Sequence, residues 1–136
     1  MSFKIRLHQV FMPSETIEEL RPVLQSGWVG EGPKTAEFES TLSKFIKQKH
    51  FTALNSGTSA LIMALRIAGI KAGDEVITTP MTCMATNEPI VLAGAIPVWS
   101  DCHPGCGNID VESIKKKITV RTTAIMCVHW GERLAI

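Results

Sequence analysis

The sequence predicts an α/β fold, a mainly parallel sheet with flanking helices, and three observations carry that prediction. From residue 50 onward, short β-branched runs alternate with stretches whose apolar residues recur at helical spacing. The joints between them are rich in Gly, Pro, Asn and Asp, the residues that end regular structure. No repeat or low-complexity tract interrupts the order. Strand and helix in alternation require crossovers, and crossovers place helices on both faces of a parallel sheet.

Residues 1–48 read as an N-terminal helical segment and 49–136 as one α/β unit. The first helix follows Pro13-Ser14, with Ser14 as N-cap and Ile17, Leu20 and Leu24 on one apolar face. It stops at "SGWVGEGP". The second begins near Pro33, a residue favoured at the first helical position. Its Phe38, Leu42, Phe45 and Ile46 are spaced as a buried stripe, and the charged "KQKH" closes it. "HFTAL" (50–54) reads as a strand. A helix over 59–68 ends at Gly69. "EVITTP" (75–80) is a strand, and 84–94 a helix with Pro89 inside it, which predicts a late start or a kink. "AIPVWS" (95–100) is a strand, Asp110 caps the short helix "VESIKKKI", and 122–130 is the fourth strand. Ligands of such sheets sit beyond the carboxyl ends of the strands. Ser56–Ser59, Pro80–Asn87, Asp101–Gly107 and His129 fall near those ends.

The bulk properties narrow the function. A chain of 136 residues, 45% hydrophobic and 20% charged, suits one domain or part of a larger one and can bury a core. The net charge of +1 and pI near 7.7 give no electrostatic case for nucleic acid or an anionic membrane. No apolar run reaches the ~18 residues of a membrane span. The opening "MSFKIRLHQVFMPSE" lacks a signal peptide's apolar centre. These features predict a cytoplasmic protein whose four cysteines are reduced thiols.

Three motifs could carry chemistry. In "NSGTS", Gly57 allows close backbone approach and an unusual φ. The free amides of the first helical turn and the helix dipole would favour an anion, with hydroxyls from Thr58 and Ser59. An ordinary N-cap with a tight turn explains the same residues. In "DCHPGCGNID", Cys102, His103 and Cys106 could offer a soft metal three ligands, with Cys127 and His129 nearby, but the spacing lacks the usual Cys-x-x-Cys pair and reads better as a turn. Cys83 with His129 could form a thiol site, although nothing local to Cys83 supplies a base. Lys115, Lys116 and Lys117 read as a solvated helix face.

Taken together, "LQSGWVGEGPKTAEFE", "LNSGTSALIMALRIAGIKAGDEVITTPMTCMATNEPIVLAGAIPVWSD" and "NIDVESIKKKITVRTTAIMCVHWG" resemble, in order and spacing, the front part of the DegT/DnrJ/EryC1/StrS family. The likeness runs from about Leu24 to Gly131. It implies part of the large domain of the aspartate-aminotransferase fold, and a pyridoxal 5′-phosphate (PLP) enzyme that moves an amino group from an amino-acid donor to a nucleotide-linked keto sugar. By this resemblance Gly57, Thr58 and Ser59 hold the cofactor phosphate. Cys83 occupies the place where the family commonly stacks an aromatic ring on the cofactor, and Asn87 joins the cofactor set at the border of the substrate region. Trp28 and Gly30 of the "GWVGEGP" loop border the substrate. The Schiff-base lysine and the carboxylate facing the pyridine nitrogen lie, in the family, downstream of "VHWG", so no residue here is assigned as catalytic. The resemblance therefore implies a truncated member, inactive alone, that associates with itself or with a full-length homologue. A non-catalytic interaction module and a small Cys/His metal or thiol enzyme are the alternatives.

Overall fold

The computed structural model describes residues 9–135, and the chain divides into two compact units between Ala53 and Leu54. In the first unit, α1 spans Thr16–Ser26 and α2 spans Pro33–Ile46. The N-cap of α1 is Glu15 rather than Ser14, and it makes no side-chain cap bond. A turn closed from the Thr16 amide to the Pro13 carbonyl (3.2 Å) carries residues 14 and 15 into the helix entry instead. Pro33 opens α2 as the sequence predicts.

The expected apolar stripes of these helices are not buried. Neither helix contains a buried residue, and Phe45 is 82% exposed. Two helices and a loop supply no second layer within this unit, and an amphipathic face needs one. Phe38 meets Phe51 edge to face, with ring centroids 6.1 Å apart. The strand predicted over 50–54 is also absent. In place of a ladder bond, the Ala53 amide donates to the Glu39 carboxylate at 2.7 Å.

The second unit carries α3 (Gly57–Ile67), β1 (Glu75–Thr78), α4 (Met84–Leu92), β2 (Ile96–Trp99), α5 (Val111–Lys117), β3 (Thr122–Ile125) and a 3₁₀ turn at Trp130–Glu132. The three strands pair in parallel in the order β2-β1-β3. Each is shorter than its apolar run. Residue 79 leaves the ladder because its carbonyl is taken by the Asn87 side chain and its hydroxyl by the Met81 amide. With β1 ended, the last bond from β3's side to β1 among the described residues runs from the Met126 amide to the Ile77 carbonyl. α4 starts at Met84 and runs through Pro89 to Leu92, with no late start. Burial of Pro89 and Ile90 favours the continuous helix over the local cost of proline. Pro97 is tolerated because β2 is an edge strand.

The pleat sorts the core into two layers. Val76 packs with Leu65, Ile90 and Ala95, so α3 and α4 cover one face. Ile77 packs with Ile109 and Ile114, so α5 covers the other. The connection from β1 runs to β2, and the next returns past β1 to β3. In sheets of this kind such a reversal marks the carboxyl ends of the central strands as the edge where ligands bind.

Candidate functional site

Topology decides which motif residues meet. α3 and α4 each lead into the amino end of a strand, so the amino ends of both helices lie toward the carboxyl edge of the sheet. That edge carries Ser56–Ser59, Pro80–Cys83 and the segment after β3 that leads to His129.

At α3, Ser56 is extended (φ −160°, ψ 157°), and its hydroxyl accepts the Ser59 amide at 3.1 Å. The same hydroxyl lies 3.0 Å from Ser59 Oγ, to which it donates. Among the described residues the amides of Gly57 and Thr58 meet no acceptor. Gly57 does not adopt the left-handed φ expected of it. An ideal Cβ built there meets nothing within 4 Å, which leaves open space in front of the helix. Free amides, a helix dipole and open space fit a phosphate. The residues present therefore suit the phosphate end of PLP.

At α4, Cys83 is the N-cap, exposed, with no side-chain cap bond. The Thr82 and Thr86 hydroxyls pair at 2.8 Å beside it. Asn87 turns toward β1: its Oδ1 accepts from the Thr78 hydroxyl (2.7 Å), and its Nδ2 donates to the Thr79 carbonyl (3.1 Å). Thr79 Oγ1 also contacts Cys102 Sγ at 3.0 Å, linking the loops that follow β1 and β2.

The Asp101–Asn108 loop is a turn, as the sequence suggests. His103 Nδ1 accepts the Gly105 amide (3.1 Å), and Cys102 bridges Ile109. Nearly buried Asn108 accepts the Trp130 amide (2.8 Å) and donates to the carbonyls of Arg133 and Leu134. His129 Nδ1 accepts the Ala135 amide at 2.9 Å. Among the described residues no group of three His, Cys, Asp or Glu side chains could hold a metal, and Cys83 has no hydrogen-bonded base. The metal and thiol readings thus find no support.

Trp28 and Gly30 lie in the first unit. The Trp28 indole donates to the Glu31 carbonyl at 2.6 Å and folds over Gly32. With Pro22, Val23, Gly30 and Lys34 it lines a concavity of about 320 Å³. Lys34 is paired with Glu37 at 2.9 Å, and that hydrogen bond raises its pKa.

Sequence reasoning missed Thr78, Thr79 and Asn108, whose side chains tie the loops together. The signal available was the run of threonines before Pro80 and an asparagine just ahead of the Asp110 cap.

Comparison with known proteins agrees with this architecture. The model of the DegT/DnrJ/EryC1/StrS aminotransferase family matches residues 11–135. The spore coat polysaccharide biosynthesis protein SpsC of Bacillus subtilis is 43% identical over 117 residues, covering 86% of this chain and 30% of that protein. GDP-perosamine synthase of Vibrio cholerae is 39% identical over 111 residues, again 30% of its length. The sugar aminotransferase CalS13 of Micromonospora echinospora superposes with a TM-score of 0.88 at 35% identity, covering 97% of this chain and 36% of that one. The putative sugar aminotransferase Spr1654 of Streptococcus pneumoniae, in its PMP form, gives 0.86 at 34%, covering 93% of this chain and 32% of that one. The chain spans about 30% of the length of these curated relatives. No helix among the described residues is long and apolar enough to cross a membrane. With the family match over residues 11–135 and the fold shared with sugar aminotransferases, the chain belongs to the DegT/DnrJ/EryC1/StrS aminotransferase family.

Proposed function

We propose that this chain supplies the phosphate-binding part of a PLP-dependent aminotransferase acting on nucleotide-linked keto sugars with an amino-acid donor. PLP, when bound, supplies the electron sink for amino transfer. The single observation that carries the reading is the open amino end of α3 at the carboxyl edge of the sheet. There the amides of Gly57 and Thr58 and the hydroxyls of Thr58 and Ser59 would receive the phosphate. Cys83 at the start of α4 would lie against the cofactor ring through its polarisable sulfur. Trp28 and Gly30 would border the sugar nucleotide.

Unit 2 holds Lys71, Lys115, Lys116 and Lys117. All four lie in connections or a last helical turn that lead into the amino ends of β1 and β3, away from the α3 turn. None of the four is therefore assigned the Schiff-base role, which the family resemblance places downstream of "VHWG"; association with a full-length homologue would bring such a lysine. A cytoplasmic setting agrees with four unpaired cysteines.

Titration of the chain with PLP, pyridoxal and inorganic phosphate tests this, read by tryptophan fluorescence. PLP should bind weakly, phosphate should compete, and pyridoxal should not bind at the same concentrations. Equal binding of PLP and pyridoxal, or loss of neither on Thr58→Ala and Ser59→Ala together, would sink the assignment.

A further inference from the structure

We propose that Asn87 is a positioning residue: it ties the end of β1 to α4 and so sets where Cys83 stands at the carboxyl edge. The inference rests on reading that edge as the cofactor site. Helix starts are normally fixed by an N-cap oxygen that accepts a first-turn amide. α4 has a cysteine there and makes no such bond. Its start must be held from elsewhere, and Asn87 does so with both ends of its amide. Oδ1 takes the hydroxyl of fully buried Thr78, and Nδ2 satisfies the carbonyl of Thr79. The rest of the connection is closed by short local bonds: Met81 amide to Thr79 Oγ1 (3.0 Å), Thr82 amide to Pro80 carbonyl (2.9 Å), and Thr86 amide to Cys83 carbonyl (3.0 Å). Remove Asn87 and the Thr79 carbonyl loses its partner beside a buried strand end, so the connection has to move to find another. Cys83 moves with it.

Hydrogen exchange resolved along the chain tests the role, with peptide-resolved iodoacetamide labelling of Cys83 as a second readout. Asn87→Ala and Asn87→Asp should each speed exchange at Met81–Thr86 by tenfold or more relative to β2 and α5. Cys83 labelling should change at least threefold. Asp retains an acceptor for Thr78 but loses the donor to Thr79, so it should resemble Ala. Thr78→Val removes only the Thr78 bond and should give a smaller rise in the same segment; it keeps the test open should the Asn87 variants fail to fold. Wild-type exchange and labelling in folded Asn87 variants, with only PLP affinity lost, would make Asn87 a ligand contact and overturn the proposal. A uniform rise across the whole second unit would make it merely structural and overturn it too. Should wild-type protein bind no PLP while the local response is seen, the proposed function falls and the positioning role stands.

Discussion

Arg121 reaches Glu75 with two nitrogens, Nε at 2.9 Å and Nη2 at 2.5 Å, both on Oε1. The Thr119 hydroxyl donates to Oε2 at 2.5 Å. The carboxylate is buried at the start of β1, opposite the point where β3 carries an extra residue between Thr122 and Ala124. Glu75 thus fastens β3 to the central strand at a bulge. The bond from Thr119, then that from Arg121, hold its pKa below the ordinary carboxylate value.

The sign of the pH effect follows. With its folded pKa lowered, Glu75 contributes stability that is present above the unfolded glutamate pKa of about 4.3. That stability is lost as pH falls through the lower folded value, because the unfolded chain binds the proton first. Urea midpoints measured from pH 6 to pH 3 should fall less steeply in Thr119→Val and in Arg121→Met than in wild type. Glu75→Gln should be weaker at pH 6, with the difference closing toward pH 3. Parallel curves for all four proteins would contradict this.

Trp130 lies across Gly107, which has φ +76°; an ideal Cβ there falls 2.4 Å from the indole Cδ1. Gly107→Ala is therefore penalised by its backbone conformation and by contact with the indole. The left-handed strain alone should cost roughly 1–3 kcal/mol, read as a lowered urea midpoint at unchanged m-value. Gly30→Ala, whose Cβ meets nothing within 4 Å and whose φ is ordinary, is the matched control and should leave the midpoint in place.

Ser56 and Gly57 separate folding from ligand approach at α3. Ser56→Ala removes the oxygen that accepts the Ser59 amide and should destabilise by about 1 kcal/mol. Gly57→Ala should hold stability or raise it by roughly 0.5 kcal/mol, since its φ suits any residue and its Cβ has room. The added methyl narrows the approach to the amides, so PLP binding should weaken at least threefold. Chemical denaturation and PLP titration of both variants check the two effects separately.

How much of this was legible in the sequence follows from what each signal depends on. Periodicity and turn residues located the helices α1 to α5 and the three paired strands, because spacing and punctuation act between near neighbours along the chain. The extents of the strands were over-read, since the bonds that end β1 come from Asn87 and Met81, outside the apolar run. Burial of the α1 and α2 stripes was over-read for a related reason: a helical pattern shows that a face seeks a partner layer, not that the unit contains one. At the proposed site, the glycine-hydroxyl turn is legible as a helix start with Ser56 as its cap. The left-handed φ was not a safe inference, because Gly57 lies inside the first turn rather than at a bend. Asn87 could be placed near the edge, but its bonds to Thr78 and Thr79 require the sheet to exist.

Covalent capture of PLP needs an unprotonated amine held at the cofactor carbonyl, and a lysine reaches that state by burial or a cationic neighbour. Lys34 has the opposite environment: its bond to Glu37 raises its pKa. Lys115 is paired with exposed Glu112 at 2.7 Å. Lys71 sits between β1 and the end of α3, and Lys115–Lys117 form the last turn of α5, each on the approach to the amino edge of the sheet. Borohydride reduction of the chain with equimolar PLP should therefore label no single lysine stoichiometrically, and peptide mapping should show only scattered, substoichiometric adducts that excess free lysine suppresses. A single stoichiometric adduct at Lys71 or any other lysine of the second unit would mean that PLP is held toward the amino edge of the sheet, and the placement of the cofactor at α3 would fail with it.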